Sequence, residues 1–263
     1  MPYTLKKCTS IIKKPKSKYW QRTHKFGIQI PKSVKESFAI DRENGNSYWH
    51  DATRQEMPKI IDSVEEYNSN TDKLIGYQEI TGHMIFVIKF SENFRQKAWY
   101  VADGHKTKIL PSITSSTVVS REYVKICLTI AALNDLEILS ADIENTYLTA
   151  PCCEKVWIRA GTEFGDLQGK ILVVKKALYG LKSSGASFRV FLAEHLDNIG
   201  FKSSVADPDV WMREATKPDS ERYYEYILYY VNDILCMSHD SRHPMNEIGA
   251  HMKFKKNKVE PPA

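Results

Sequence analysis

Two aspartates stand where the chain pattern lets carboxylates meet. Asp142 closes the strand-like apolar run LEILSADI (136–143), inside Ser140-Ala141-Asp142-Ile143-Glu144-Asn145-Thr146-Tyr147. Asp233 lies in YEYILYYVNDILCM (224–237), inside Tyr230-Val231-Asn232-Asp233. A carboxylate at the end of one strand and others at a neighbouring hairpin tip can converge on divalent metal ions. Two Mg²⁺ ions held this way activate an attacking hydroxyl and stabilise a leaving phosphate. An aspartate at a turn is more often there for the turn itself, so the residues alone leave both readings open.

Positioning such carboxylates requires strands backed by helices, and the pattern supplies both. Ser120 is an N-cap, with Glu122 in the first turn and Val124, Cys127, Leu128 and Ala131 at helical spacing up to Asn134-Asp135. The run 136–143 then reads as a short strand, as do 156–158 and 171–174. A second helix carries Phe188, Phe191, Leu192, His195, Leu196 and Ile199 on one face, with Gly200 at the C′ position. His195 on that stripe reads as a core or boundary histidine. Residues 224–237 read as two strands closing at a tight turn at Asn232-Asp233, since both residue types tolerate unusual backbone angles. Upstream, 32–64 reads as polar helices with a loop at 43–46, 80–90 as a strand and 111–117 as a loop. Helix, strand, strands, helix, hairpin is the order of an α+β domain with helices on one face of a mainly antiparallel sheet.

Composition narrows the class further. The chain has 263 residues, enough for one large domain or two small ones, and 42% hydrophobic with 26% charged residues is ordinary for a globular protein. No apolar run reaches the length of a membrane span, and the N-terminus lacks the apolar core of a secretory signal, so an intracellular setting (cytoplasm or nucleus, not secreted) is expected. Cys8, Cys127, Cys152, Cys153 and Cys236 then read as free thiols, with no CxxC pair for a zinc knuckle. The net charge is +5, yet the first thirty residues hold eight basic residues and no acidic one, with Tyr3, Tyr19, Trp20 and Phe26 interleaved. The positive excess therefore sits in a leader. Alone it reads as a solvated arm; the alternatives are a nucleic-acid backbone contact or a nuclear import signal at Lys13-Lys14-Pro15-Lys16-Ser17-Lys18.

Taken together, segments in one order resemble a known family. His24-Lys25-Phe26-Gly27-Ile28 with Pro31-Lys32-Ser33-Val34, Trp49 and Glu56-Met57 is similar to the stretch joining integrase to polymerase in Ty1/copia-type retrotransposon polyproteins. Val118-Val119-Ser120-Arg121-Glu122 opening 131–136, Asp142 with Tyr147, and Ala177-Leu178-Tyr179-Gly180-Leu181-Lys182 follow. Ala206-Asp207-Pro208-Asp209-Val210-Trp211 comes next, and Tyr230-Val231-Asn232-Asp233 stands in place of Tyr-Val-Asp-Asp. From about Trp20 to Phe254 the chain is identified as a member of the Ty1/copia-type reverse transcriptases.

The resemblance implies a right-hand polymerase of the α+β class, with fingers and palm, an antiparallel palm sheet with helices on one face, and no thumb before the chain stops at Pro261-Pro262-Ala263. It implies a basic leader and integrase–polymerase junction over 1–75 and fingers and palm over 76–263. Fingers fall mainly at 76–117 and 150–182, palm mainly at 118–149 and 183–255. The implied activity is RNA-directed DNA synthesis, two-metal nucleotidyl transfer to a primer 3′-OH. The partners are an RNA or DNA template-primer and deoxynucleoside triphosphates, and the cofactor is two Mg²⁺ ions. Asp142, Asn232 and Asp233 occupy the catalytic positions, with Asp142 and Asp233 as metal ligands. Lys97, Tyr147, Tyr179, Gly180 and Lys182 occupy nucleotide-binding positions, Tyr147 as the ring that excludes a ribose 2′-OH.

Four positions depart from the family pattern. Asn232 stands for a catalytic aspartate, and a neutral amide oxygen is a poorer Mg²⁺ ligand than a carboxylate. Trp99 replaces an arginine suited to phosphate. Asp103 takes the place of a small residue, where it is expected to repel phosphate, and Val87 that of an acidic one. These departures set an expectation of weak or absent polymerase activity. The alternatives are a non-catalytic nucleic-acid-binding remnant and a functionless pseudogene fragment.

Overall fold

The computed structural model of the chain describes residues 24–68, 74–107 and 117–262. The leader up to residue 23, and all but the last residue of the loop expected over 111–117, lie outside the described residues. In chain order the elements are β1 (His24–Lys25), β2 (Ile28–Gln29), α1 (Val34–Asn44), α2 (Tyr48–Ile61), β3 (Val64–Glu66), β4 (Gln78–Ile80), β5 (Gly82–Lys89) and β6 (Arg95–Ala102). There follow α3 (Arg121–Leu133), β7 (Glu137–Asp142), β8 (Val156–Arg159), β9 (Ile171–Val174), α4 (Ser184–Asn198), β10 (Lys202–Ser203), β11 (Val210–Thr216), β12 (Arg222–Tyr230), β13 (Asp233–Ser238) and α5 (Arg242–Gly249). The chain is α+β, as the residue pattern indicates.

The first packed unit forms around α2. Ser33 caps α1 by accepting the Glu36 N–H at 3.2 Å, and Gly45 ends that helix at φ 63°. Asp41, near the end of α1, accepts the N–H groups of Trp49 (3.2 Å) and His50 (2.8 Å), so one helix caps the next. Trp49, Met57 and Ile60 of α2 then bury against Phe86 and Tyr100 of the β5–β6 hairpin and against Ile158 and Leu172. β3 joins a four-stranded sheet in the order β3-β9-β8-β4. Residues of 34–60 share one core with residues of 80–102 and 148–181, and β3 lies in one sheet with β4, β8 and β9. The cause is α2, whose apolar face has no core of its own to fill.

The second unit is the antiparallel sheet β10-β11-β12-β13-β7. The expected placement of helices on one face is corrected here. Along β12, Glu225 to Tyr229 are all buried. Successive strand residues point to opposite faces, so a continuous buried run needs cover on both. Ile227 and Tyr229 pack with Phe188, Leu192 and Leu196 of α4 and Met245 and Ile248 of α5. Tyr226 and Leu228 pack with Cys127 and Ala131 of α3. Arg213 ties β11 to its neighbours through Glu225 (2.7 Å), Glu247 (2.8 Å) and the Ile199 carbonyl (2.6 Å).

The Ala206-Asp207-Pro208-Asp209 segment joins the two faces. Asp207 accepts the Ser120 N–H at 3.0 Å, at the start of α3. Asp209 is fully buried and accepts from Arg189 of α4 (2.8 Å), Tyr229 of β12 (2.8 Å) and Thr117 (2.6 Å). Burial and the adjacent Asp209 carboxylate push the Tyr229 phenol far above its ordinary pKa. Removing one partner of such a buried charge strands the others. Asp209→Ala is expected to lower folding stability by about 3–5 kcal/mol in urea unfolding. Asp209→Asn, which keeps an acceptor, is expected to lose less. A loss under about 1 kcal/mol for the alanine variant would show that this network does not hold α3 and α4 on the sheet.

Candidate active site

Asp142 is the last residue of β7 and Asp233 the first of β13, and the two are direct partners across the ladder. Opposite residues of an antiparallel pair share a face with Cβ atoms about 5 Å apart, so the two carboxylates project side by side. The turn itself is Val231-Asn232, between paired Tyr230 and Asp233, one residue earlier than the expected Asn232-Asp233. Val231 takes φ 59°, a left-handed backbone that costs a β-branched residue about 1–2 kcal/mol. Register outweighs that cost. Ile234 and Cys236 are buried with α4 and α5, and a one-residue slip would turn both to the other face and carry Asp233 with them. The Ile143 N–H, donating to the Asn232 carbonyl at 2.7 Å, closes the turn onto the end of β7.

A third group completes this corner. Lys255 donates to Asp142 at 2.9 Å. Its segment lies along the free edge of β7, where Ile143 bridges Phe254 and the Glu144 N–H donates to the Lys253 carbonyl at 2.8 Å. The hydrogen bond to Asp142 raises the Lys255 ammonium, and burial followed by the Asp142 charge raises the Asp233 carboxyl. Two facing carboxylates suit a hard divalent cation taking its remaining ligands from water and phosphate. Among the described residues no cluster of three or more Asp, Glu, His or Cys side chains is placed to hold a metal ion. Asn232, in the turn beside them, carries a neutral amide.

Asp142 and Asn232 open onto a cleft of about 790 Å³, walled by α2, the β5–β6 hairpin, the turn after β7 and the segment at 255–256. Six cationic side chains line it (Lys59, Lys89, Arg95, Lys97, Lys255 and Lys256) against three anionic ones (Glu56, Asp142 and Glu144). That excess favours a polyanion. The Trp99 ring centroid lies 4.5 Å from the Lys97 nitrogen and 5.2 Å from that of Lys89, within cation–π reach of both. Tyr147 follows Asp142 on a single 3₁₀ turn (Thr146–Thr149), its ring centroid 5.0 Å from that of Tyr179. Burial, then Glu56, push the Tyr179 phenol up to about 12.

Lys97, Asp142, Tyr147, Tyr179 and Asn232 thus line one cleft, and Asp233 adjoins it through Asp142. Gly180 and Lys182 do not line it. Gly180 has φ 93°, and a Cβ there would lie 2.1 Å from the Ala102 carbonyl oxygen, so glycine lets the segment close on the end of β6. The Lys182 ammonium donates to the Thr107 carbonyl at 2.6 Å. Asp103 also faces elsewhere, bonded to Thr81, His83 (3.0 Å) and Lys106 (3.2 Å); the expected repulsion of phosphate has no counterpart in the cleft. Pattern reading missed Glu56, Lys59 and Lys255 as members of the site. The only signal for Lys255 was the cationic run at 253–258.

The raised Asp233 carboxyl has a consequence for stability. An acid whose folded pKa exceeds its unfolded value binds its proton more tightly in the folded chain. That contribution is present below the unfolded pKa and lost as pH rises through the folded one. Without divalent metal, Asp233→Asn is therefore expected to be more stable than the parent at pH 7, by no more than about 0.5 kcal/mol for so exposed a group. The difference should shrink as pH falls into the ordinary carboxylate range. Thermal melts at pH 4 and 7 read it; an Asn variant less stable at pH 7 would contradict it.

A family model described as reverse transcriptase (RNA-dependent DNA polymerase) matches residues 72–259. The Retrovirus-related Pol polyprotein from transposon RE2 of Arabidopsis thaliana is 24% identical across 94% of this chain, and that from transposon RE1 is 30% identical across 56%. The chain spans 17% and 10% of the length of those two relatives. A foamy viral protease–reverse transcriptase solved with double-stranded DNA aligns with 92% of this chain and 33% of its own, at TM-score 0.41 and 14% identity. A Prototype Foamy Virus protease–reverse transcriptase mutant aligns with 89% of this chain and 25% of its own, at TM-score 0.39 and 14% identity. With that match over most of its length and transposon polyproteins as relatives, the chain belongs to the reverse transcriptase family, in its copia-type branch.

Proposed function

We propose that the chain is the fingers-and-palm part of an RNA-directed DNA polymerase, with weakened catalysis. The observation that carries this reading is the pairing of Asp142 with Asp233 in register beside a cation-rich cleft. The first packed unit, with its β5–β6 hairpin, corresponds to fingers and the five-stranded sheet with α3 and α4 to palm.

In this reading the triphosphate of a deoxynucleotide lies along Lys89, Arg95 and Lys97. Tyr147, held against Tyr179, sets a ring under the sugar and leaves no room for a 2′-OH. Asp142 and Asp233 would hold Mg²⁺, which when bound lowers the pKa of the primer 3′-OH and offsets charge on the phosphates. Lys255 bonds one oxygen of Asp142 and leaves the other for a metal ion. Asn232 supplies an amide where a carboxylate is expected, so the site gathers less negative charge. Template and primer would follow the basic surface, with the N-terminal leader adding phosphate contacts.

A second reading is favoured by the same cation excess together with Asn232: a segment that holds nucleic acid and nucleotide without joining them. Primer extension on an RNA template with Mg²⁺ separates the two. Asn232→Asp is expected to raise incorporation about 100-fold, as for about 3 kcal/mol of recovered transition-state stabilisation. Asp142→Asn in that background should abolish it. Silence from the repaired, folded chain, with nucleic acid still bound in a salt-dependent way, would favour the binding reading. In the repaired chain Tyr147→Ala is expected to relax discrimination against ribonucleotides by about tenfold or more, as the ratio of kcat/KM for the two sugars. An unchanged ratio would remove Tyr147 from that role.

A further inference from the structure

Three phenylalanines stand in the open at the end of the β5–β6 hairpin. Phe90 and Phe94 bound its loop, between paired Lys89 and Arg95, and Phe26 reaches them from the turn between β1 and β2. Their ring centroids lie 5.5 Å (Phe26–Phe90), 5.7 Å (Phe26–Phe94) and 5.2 Å (Phe90–Phe94) apart, so each ring is in aromatic contact range of both others. Even so Phe26, Phe90 and Phe94 stay 53%, 66% and 39% exposed, and none belongs to the buried core of the first unit. The turns do not call for rings either. Phe26 has φ 53° and Phe94 φ 58°, left-handed positions that glycine or asparagine takes at less cost. What the three rings share is one exposed aromatic face.

The charge around this face selects its occupant. The Lys25 nitrogen lies 5.4 Å from the Phe26 ring centroid. Lys89 and Arg95, which flank the loop, line the cation-rich cleft. Glu92, the acidic residue of the loop, is paired with Arg95. An apolar peptide would gain nothing from these cations. A polynucleotide answers both features, with phosphates on the cations and bases on the rings. In a duplex each base already covers its neighbours' faces, so the strand that fits is a single one.

We propose that Phe26, Phe90 and Phe94 form a stacking platform for unpaired bases of a single-stranded template, at the end of the hairpin whose flanking cations line the cleft. Stacking reads no base edge, so the platform accepts any sequence. Phe26 lies upstream of the matched region at 72–259, and the β1–β2 turn is then part of the nucleic-acid surface. The inference rests on the nucleic-acid reading of the cleft given above.

Fluorescence anisotropy of the full chain with a labelled single-stranded RNA of about twelve nucleotides reads the contact. Phe90→Ala combined with Phe94→Ala is expected to weaken binding about tenfold or more. The slope of log affinity against log salt should stay unchanged, because no charge is removed. A blunt duplex of the same length should bind parent and variant alike. A strand of abasic sites should bind both as weakly as the intact strand binds the variant. Equal affinity of parent and variant for the intact strand overturns the proposal, as does an equal loss for the abasic strand. Altered self-association of the variant with strand binding unchanged would make the face a contact between copies, and overturns it too. Should the variant not fold, a strand carrying 5-bromouracil is photocrosslinked to the unaltered chain. Crosslinks are expected at Phe26, Phe90 or Phe94, and crosslinks confined to other residues overturn the proposal. Primer extension in the Asn232→Asp background keeps the two readings apart. Extension by a chain whose strand binding ignores the rings overturns the platform and leaves the polymerase reading standing. Ring-dependent binding by a chain that extends nothing overturns the polymerase reading and leaves the platform standing.

Discussion

The pairing of β7 with β13 is the constraint on which the rest of the site depends. Both strands lie in a sheet covered on its two faces, so neither can shift by a residue without exchanging its buried side chains for its exposed ones. Ile234 and Cys236 fit α4 and α5, while Met237 fits α3. With that register fixed, Asp233 has one place to be, opposite Asp142. The turn must then span the gap with two residues, and Val231 takes the left-handed conformation although valine suits it poorly. Strain at the tip is the consequence of order in the sheet. Asp207 and Asp209 extend the same logic outward, fixing the helices that fix the register.

Charge is organised around this rigid corner in two tiers. Next to the carboxylates, Lys255 offsets the charge of Asp142. Further out, the cations of the hairpin and of α2 line one cleft, with the Trp99 ring centroid 4.5 Å from the Lys97 nitrogen and 5.2 Å from that of Lys89. Trp99 therefore sits among the cations of the wall, its ring in reach of two ammonium groups.

Legibility in the sequence followed the range of the interactions. α3 was readable because its cap, Ser120, and its stripe, Val124, Cys127 and Ala131, lie within thirteen residues of one another. α4 and its terminal Gly200 were readable for the same reason. Asp142 and Asp233 were nominated because each ends a strand whose apolar run is local. The cover on the second face of the sheet was not legible, since Glu225–Tyr229 reads equally as a half-buried or a doubly buried strand until its neighbours are known. Lys255 was hidden for a different reason: it reaches Asp142 across 113 residues of chain, through an edge pairing that leaves no periodic trace. Glu56 belonged to a quoted motif, but the cleft it lines forms only where the β5–β6 hairpin packs on α2. Gly180 and Lys182 show the converse. The backbone of the motif that holds them clasps β6, while the Lys182 ammonium turns to Thr107.

Fold and chemistry separate most cleanly at Asn232. Its contribution to architecture is a backbone carbonyl that accepts from Ile143, and any residue able to follow Val231 in the turn provides that carbonyl. The side chain contributes to no contact that sets the register of β7 and β13, which is held by Ile234, Cys236 and Met237 from within the sheet. An aspartate there would add a third negative charge to a corner where Asp233 already resists ionising beside Asp142, a cost in stability that an asparagine avoids. Exchange of Asp for Asn at this position is thus neutral or favourable for the folded chain and unfavourable for a metal-dependent reaction.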